Sequence, residues 1–165
     1  MKKVLLIMLM FAPLSMFAQK FAHVNTENVL KALPEVTKVQ QELEQLGKKY
    51  EDELKASQAE LERLVNEYDK NKSTMNATKQ KETEESLQEK YQRISEQAQQ
   101  NQQAFQKAQS DKLQPIYQRV KNAIEMVGKN GGYVYVMEAG SVLYINDTIS
   151  KDLTNEVKAQ LAKMK

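Results

Sequence analysis

The stretch VTKVQQELEQLGKKYEDELKASQAELERLVNEY, residues 36–68, decides the fold. Its apolar residues fall at Val36, Val39, Leu43, Leu46, Tyr50, Leu54, Leu61, Leu64 and Tyr68, spacings of three and four that hold one face of a helix, with Ser57 filling the missing position. From Leu43 to Leu54 the steps run three, four and four, an eleven-residue phase that locally unwinds a left-handed supercoil before the heptads resume. The other faces carry Glu, Lys and Gln, which stay hydrated. One narrow stripe can therefore seal this helix against a partner helix, but it builds no globular core.

The partner follows in the chain. A second stripe runs through Leu87, Tyr91, Ile94, Ala98 and Phe105 and continues through Leu113, Ile116, Val120, Ile124 and Val127. Between the stripes, residues 71–76 contain turn-forming Asn, Ser and Thr and no large apolar residue except Met75. The chain is expected to fold back there into a long antiparallel helical hairpin, with Asn76 as N-cap of the returning helix. From Val36 to Asn71 such an arm extends roughly 50–60 Å, at about 1.5 Å per residue.

Two positions interrupt the arm. Gly47 costs about 1 kcal/mol relative to Ala in a helix, and reads either as a flex point or as a site of close packing. Pro115 removes one backbone hydrogen bond and clashes with the carbonyl of Asp111, which predicts a kink; it reads as a hinge or as a helix boundary.

Charge along the arm is uneven. Residues 38–69 hold five basic and nine acidic side chains, and residues 82–96 hold two and five. The four lysines between them, Lys70, Lys72, Lys79 and Lys81, coincide with the expected tip beside Met75. They read as a solvated turn, the first two suiting a helix C-terminus, or as a capture site. In the second reading they attract an acidic segment or, weakly, anionic lipid headgroups within the screening length of about 8 Å. The Gln-rich stretch from Gln97 to Gln109 reads as good helix-forming surface, or as an uncharged wall suited to loose contact with many sequences.

The flanking segments are short. Residues 21–25 read as a strand, with Asn25 or Thr26 capping a small helix that ends before Pro34, itself suited to open the ascending arm. His23 lies in that strand; a lone His with no other ligand nearby reads as structural rather than metal-binding. Gly128 and residues 130–132 end the second long helix. Residues 133–137 and 142–145 read as the strands of a hairpin, and Asp152 or Thr154 caps a last helix presenting Val157, Leu161 and Met164. The hairpin is apolar on both faces, through Val134, Val136, Val142, Leu143, Tyr144 and Ile145. A lone two-stranded hairpin is marginal, and these short elements supply too little cover, so chains are expected to associate here.

Composition narrows the function. The 165 residues contain no Cys and no Trp and only one His, which excludes disulfides, thiolate metal sites and Cys nucleophiles. Residues 1–18 carry two lysines, an apolar run and a terminal Ala18, the form of a secretory signal peptide cleaved after that residue; the remainder balances 22 basic against 22 acidic side chains. An exported, neutral, cysteine-free chain suggests the periplasm and gives no reason to invoke nucleic acid. No nucleophile is paired with a base in a recognisable motif and no phosphate-cradling loop is present, so neither an enzyme nor a cofactor is expected.

The ordered set of parts resembles the Skp/OmpH-like periplasmic chaperones over essentially the whole mature chain. The resemblance rests on residues 21–26 (FAHVNT) leading to Val29 and Leu30, the two-helix arm with a polar tip, residues 130–136 (NGGYVYV), residues 142–145 (VLYI) and Asp152-Leu153-Thr154. It implies a mainly α fold with a small β body: a helical hairpin over residues 36–127 on a base formed by 19–35 and 128–165. It further implies a homotrimer whose arms surround a cavity and hold unfolded outer-membrane β-barrel proteins without ATP. Against strongly basic relatives, the neutrality of this chain weakens electrostatic capture. An exported coiled-coil spacer or adaptor explains the arm equally well but leaves the two-sided apolar base unmotivated.

Overall fold

Pro34 opens the first long helix, where its missing N–H would have had no helical partner in any case. The computed structural model describes residues 19–164; the expected signal peptide lies outside the described residues. In chain order the elements are β1 (Lys20–Val24), α1 (Thr26–Lys31), α2 (Pro34–Asn71), a 3-10 turn (Lys72–Thr74), α3 (Ala77–Gly131), β2 (Tyr133–Glu138), a second 3-10 turn (Ala139–Ser141), β3 (Ser150–Asp152) and α4 (Thr154–Lys163). The chain divides into two compact units, one formed by its two terminal segments and the other by residues 30–121.

In the helical unit, α2 and α3 are antiparallel neighbours. Their cross-helix contacts pair Glu35 with Arg119, Glu42 with Lys112, Glu60 with Lys90 and Tyr68 with Glu84, so one index falls as the other rises. Asn76 Oδ1 accepts from Lys79 N at 2.8 Å, the N-cap expected of it. On α2 the most deeply buried residues are Val36, Leu43 and Tyr68; on α3 up to residue 121 they are Ile94, Ile116 and Val120. Tyr91 departs from the expected stripe. It is 63% exposed, and Lys90, one residue earlier, lies nearer the seam and reaches Glu60.

Pro115 is not a helix boundary, since α3 runs through it without a break. The helix ends at Gly131, and Gly132 takes φ +66°, the left-handed conformation that terminates helices and favours a residue without Cβ.

The terminal unit contains a three-stranded sheet, and it is not the hairpin expected from alternation. All pairing is parallel, in the order β2-β1-β3, with Ala22 opposite Val136 and Lys151, and His23 opposite Met137 and Asp152. Residues 142–145 form no strand. The segment pairs with neither neighbour, so β2 keeps an unpaired outer edge while β1, the central strand, is paired on both sides. Ser150–Asp152, a polar triplet, is the third strand instead, and Leu153 N completes the ladder by donating to His23 O at 2.8 Å.

Burial follows from this order. Ala22, His23 and Val24 on the middle strand are buried, together with Leu153, Val157 and Leu161 from the start and inner face of α4. Asn25 Oδ1 caps α1 through Asn28 N, and Glu138 reaches from the end of β2 to accept from Thr26 N. Neither expected residue is the N-cap of α4: that position is Leu153, without a side-chain cap, while Asp152 Oδ1 accepts from Thr154 N just inside the helix and the Thr154 hydroxyl accepts from Asn25 N, tying α4 to the end of β1.

Candidate functional site

The tip is built by local hydrogen bonds. Gln80 Nε2 donates to the carbonyls of Lys72 and Met75 at 2.9 and 3.1 Å, and Thr74 Oγ1 donates to Asn71 O at 2.8 Å, closing the turn on itself. Just below it, the Tyr68 hydroxyl donates to Glu84, a bond that, with partial desolvation, pushes the phenol up to about 12. Lys72 Nζ stands 5.5 Å from the centre of the same ring, a cation–π contact.

The expected capture residues separate here into two kinds. Lys79 pairs with Glu82 and Lys81 with Glu85 on the helix surface. Lys70 and Lys72 make no ion pair among the described residues, so they carry the unneutralised positive charge of the tip. Met75 is half-buried against this turn rather than presented to solvent.

Between the two ends of the arm the seam is weaker. No residue of α2 between Leu43 and Tyr68 is fully buried, and none of α3 between Ile94 and Ile116. Gly47 lies opposite Phe105, Ser57 Oγ donates to Gln97 Oε1 at 3.4 Å, and Asn101 Nδ2 is buried without a partner among the described residues. The end away from the tip is braced by the Glu35–Arg119 and Glu42–Lys112 ion pairs, and the Lys112 ammonium beside Glu42 holds that carboxyl below the usual range, first through its hydrogen bond and then through its charge.

On the sheet unit, the expected association residues do not form one patch. Val136 leans on α3, where a Cβ on Gly128 would come within 3.1 Å of its Cγ2, and Val142 and Ile145 are half-buried. Leu143 is fully exposed and Tyr144 nearly so; Val134, Tyr135, Met137 and Ile149 are also exposed. Phe21 stacks on Tyr135 with ring centres 6.3 Å apart. Beside them lies an open recess of 910 Å³ lined by Phe21, His23, Tyr133 and residues 147–152. His23, 7% exposed, meets Ser150 Oγ through Nδ1 at 3.0 Å, a contact that ties β1 to β3. Among the described residues, no group of three or more His, Cys, Asp or Glu is placed to hold a metal.

The Gln-rich stretch, read from sequence as helix-forming surface or as an uncharged wall suited to loose contact, is exposed along much of its length. The exposed glutamines of α3 from Gln99 to Gln106 have no charged residue among them, and the Gln-rich run was their only signal.

Comparison with known proteins bears on all of these parts. A family model described as outer membrane protein (OmpH-like) matches residues 20–161. The Chaperone protein Skp of Yersinia enterocolitica is 30% identical over 150 residues, covering 91% of this chain and 90% of its own. The Skp of Pectobacterium atrosepticum is 27% identical over 144 residues, covering 87% and 86%. A crystal structure from Caulobacter crescentus CB15, described as an OmpH-like outer membrane chaperone, superposes with a TM-score of 0.76 over 89% of this chain and 86% of that one. At 17% identity, that likeness shows the fold.

Proposed function

This chain belongs to the OmpH-like outer membrane protein family, and from that premise we propose that it is a periplasmic holdase chaperone for unfolded outer-membrane β-barrel proteins. The observation that carries the reading is that the family match spans strand, arm and closing helix together, residues 20–161, rather than the coiled-coil region alone. A spacer or adaptor would need only the arm. The hydrated flanks of α2 and α3 support holding by many weak contacts, which lets a chain be released without chemical energy, so the proposal requires neither nucleotide nor metal.

The working form proposed is a homotrimer associated through residues 133–145. Support comes from the exposed Leu143 and Tyr144 and from β2, an edge strand with one side unpaired. Unpaired edges and exposed apolar side chains together favour strand addition by another chain. Gly47 and Pro115 are kept as candidate flex points of the arm, and Lys70 and Lys72 as the candidate first contact for acidic clients or, weakly, anionic lipid. Export with cleavage after Ala18 completes the proposal.

The test is dilution of a urea-unfolded outer-membrane barrel protein with and without the purified mature chain. Turbidity should be suppressed, and a soluble complex containing three copies of the chain should appear in mass measurements, with no change on adding ATP or a chelator. Equal aggregation with and without the protein overturns the chaperone reading. A complex with another number of chains overturns the trimer alone.

A further inference from the structure

A face made almost wholly of uncharged polar side chains runs along α3 from Gln88 to Tyr117. Gln88, Gln92, Ser95, Gln99, Gln103 and Gln106 succeed one another at steps of three and four, which places them on one side of the helix. Ser110, Gln114 and Tyr117 continue the same series, and every one of these residues is exposed. Most charged residues of the same stretch lie elsewhere: Arg93 pairs with Glu89 and Lys107 with Asp111 on the adjoining flank, and Lys90 and Lys112 turn to α2, while the exposed Glu96, beside Gln92 and Gln99, borders the face.

The polar groups of this face are unused. Among the described residues, Gln99, Gln102, Gln103 and Gln106 make no side-chain hydrogen bond to the rest of the chain, whereas Glu89, Arg93, Lys107 and Asp111 are bound in ion pairs. Each carboxamide offers two donors and an acceptor. Tyr91 and Tyr117, 63% and 52% exposed, add flat apolar rings near the two ends.

We propose that this face is the surface of the arm that contacts an extended, unfolded polypeptide, through carboxamide hydrogen bonds to its backbone and apolar contact at the tyrosines. The proposal deepens the chaperone reading and rests on it. The chemistry matches one occupant: an unfolded chain presents an unpaired N–H and C=O at nearly every residue, independent of its side chains. The face has a central stretch, Gln97 to Gln106, that carries no charge and so neither selects nor repels by sequence. Its length, roughly 45 Å at about 1.5 Å per residue, spans about 13 residues of extended chain at about 3.3 Å each. Contacts of this kind are individually weak and survive salt.

The test uses the mature chain with Gln99, Gln102, Gln103 and Gln106 all changed to Ala, which removes the carboxamides at positions where Ala favours the helix. Circular dichroism and scattering mass establish that the variant keeps its fold and assembly. The dissociation constant for a urea-unfolded, fluorescently labelled outer-membrane barrel protein should rise about tenfold, with the same deficit near 1 M salt, where screening extends only about 3 Å. In parallel, a photo-crosslinker at position 103 should capture the client, and one at Glu62 on α2 should capture little. Unchanged affinity together with no crosslink from position 103 overturns the inference and leaves an ordinary hydrated helix. A crosslink from position 103 to a second copy of this chain also overturns it, in favour of self-association. A wild type that fails to hold the client removes the chaperone reading as well, so the two failures are separable.

Discussion

Gly47 faces the ring of Phe105 with room for one methyl group: a Cβ on Gly47 would stand 3.4 Å from Phe105 Cε2, an ordinary contact. Close packing therefore does not require glycine at this position. Gly47→Ala should raise stability by about 0.5–1 kcal/mol through helix propensity alone, read as a higher thermal midpoint. A lower midpoint would mean that the helices cannot accept the methyl. If the variant is more stable yet holds large clients less well, flexing at Gly47 is part of the mechanism.

Acid should loosen the arm. Glu42 and Glu60 have carboxyls held below the usual range, by Lys112 and by Arg63 with Lys90 respectively. Because the folded value is lower than the unfolded one, the stabilisation is complete above about 4.3, the ordinary glutamate value, and is lost as pH falls through the folded value. The thermal midpoint should be flat from about pH 7 to pH 5 and then decline. Glu42→Gln should lower the neutral-pH midpoint slightly and flatten that decline. An undiminished decline would place the acid sensitivity in other groups.

Association of chains should depend on Leu143 more cleanly than on Val136. Val136 leans on Gly128 within its own chain, so Val136→Asp perturbs folding as well as assembly. Leu143 is fully exposed in the single chain, and a charge there harms only a surface that another chain covers. Leu143→Asp should leave helical content intact while shifting the scattering mass toward one chain. An unchanged mass would exclude residues 142–145 from the interface.

Electrostatic capture should rest on two lysines rather than four. With Lys79 and Lys81 already paired, Lys70→Gln with Lys72→Gln should slow association with an acidic unfolded barrel at low salt. Lys79→Gln with Lys81→Gln should slow it less. Both differences should vanish near 1 M salt, and dissociation should change little, since exposed charges each contribute only about 0–1 kcal/mol to a bound state. Equal association rates for both double variants and the wild type would make the tip a solvated turn. Faster release would make it a contact site.

The helical hairpin was legible because its signal is local: steps of three and four, a polar break at residues 71–76 and Asn76 as cap all lie within a few residues of what they determine. Tyr91 was misplaced because an aromatic ring outranks lysine on any hydrophobic pattern, whereas here the aliphatic stem of Lys90 lies nearer the seam with its ammonium on Glu60. The sheet was less legible. Alternation in residues 142–145 signals a strand-like surface, yet the segment pairs with no strand and leaves the outer edge of β2 open. Ser150-Lys151-Asp152 has no strand signal, and it is a strand because β1 accepts it and Leu153 is buried behind it. Among the expected site residues, the lysines were readable as charge, but their division into paired and unpaired required Glu82 and Glu85 to be seen beside them. The glutamine-rich face was readable as composition, and became a face only when the exposure of each Gln was known.

The central position of β1 sets the timing of folding. Lys20 meets Gly131 across 111 positions and His23 meets Ser150 across 127, whereas the turn at the tip is closed by residues 8 apart and braced by residues 16 apart. Short-range contacts form early and long-range ones late. A chain emerging N-terminus first therefore exposes its middle strand before either neighbour exists, and can close the hairpin while that strand still waits. The sheet is completed only when the final tenth of the sequence arrives, so truncation near the C-terminus should be felt most at the opposite end of the chain.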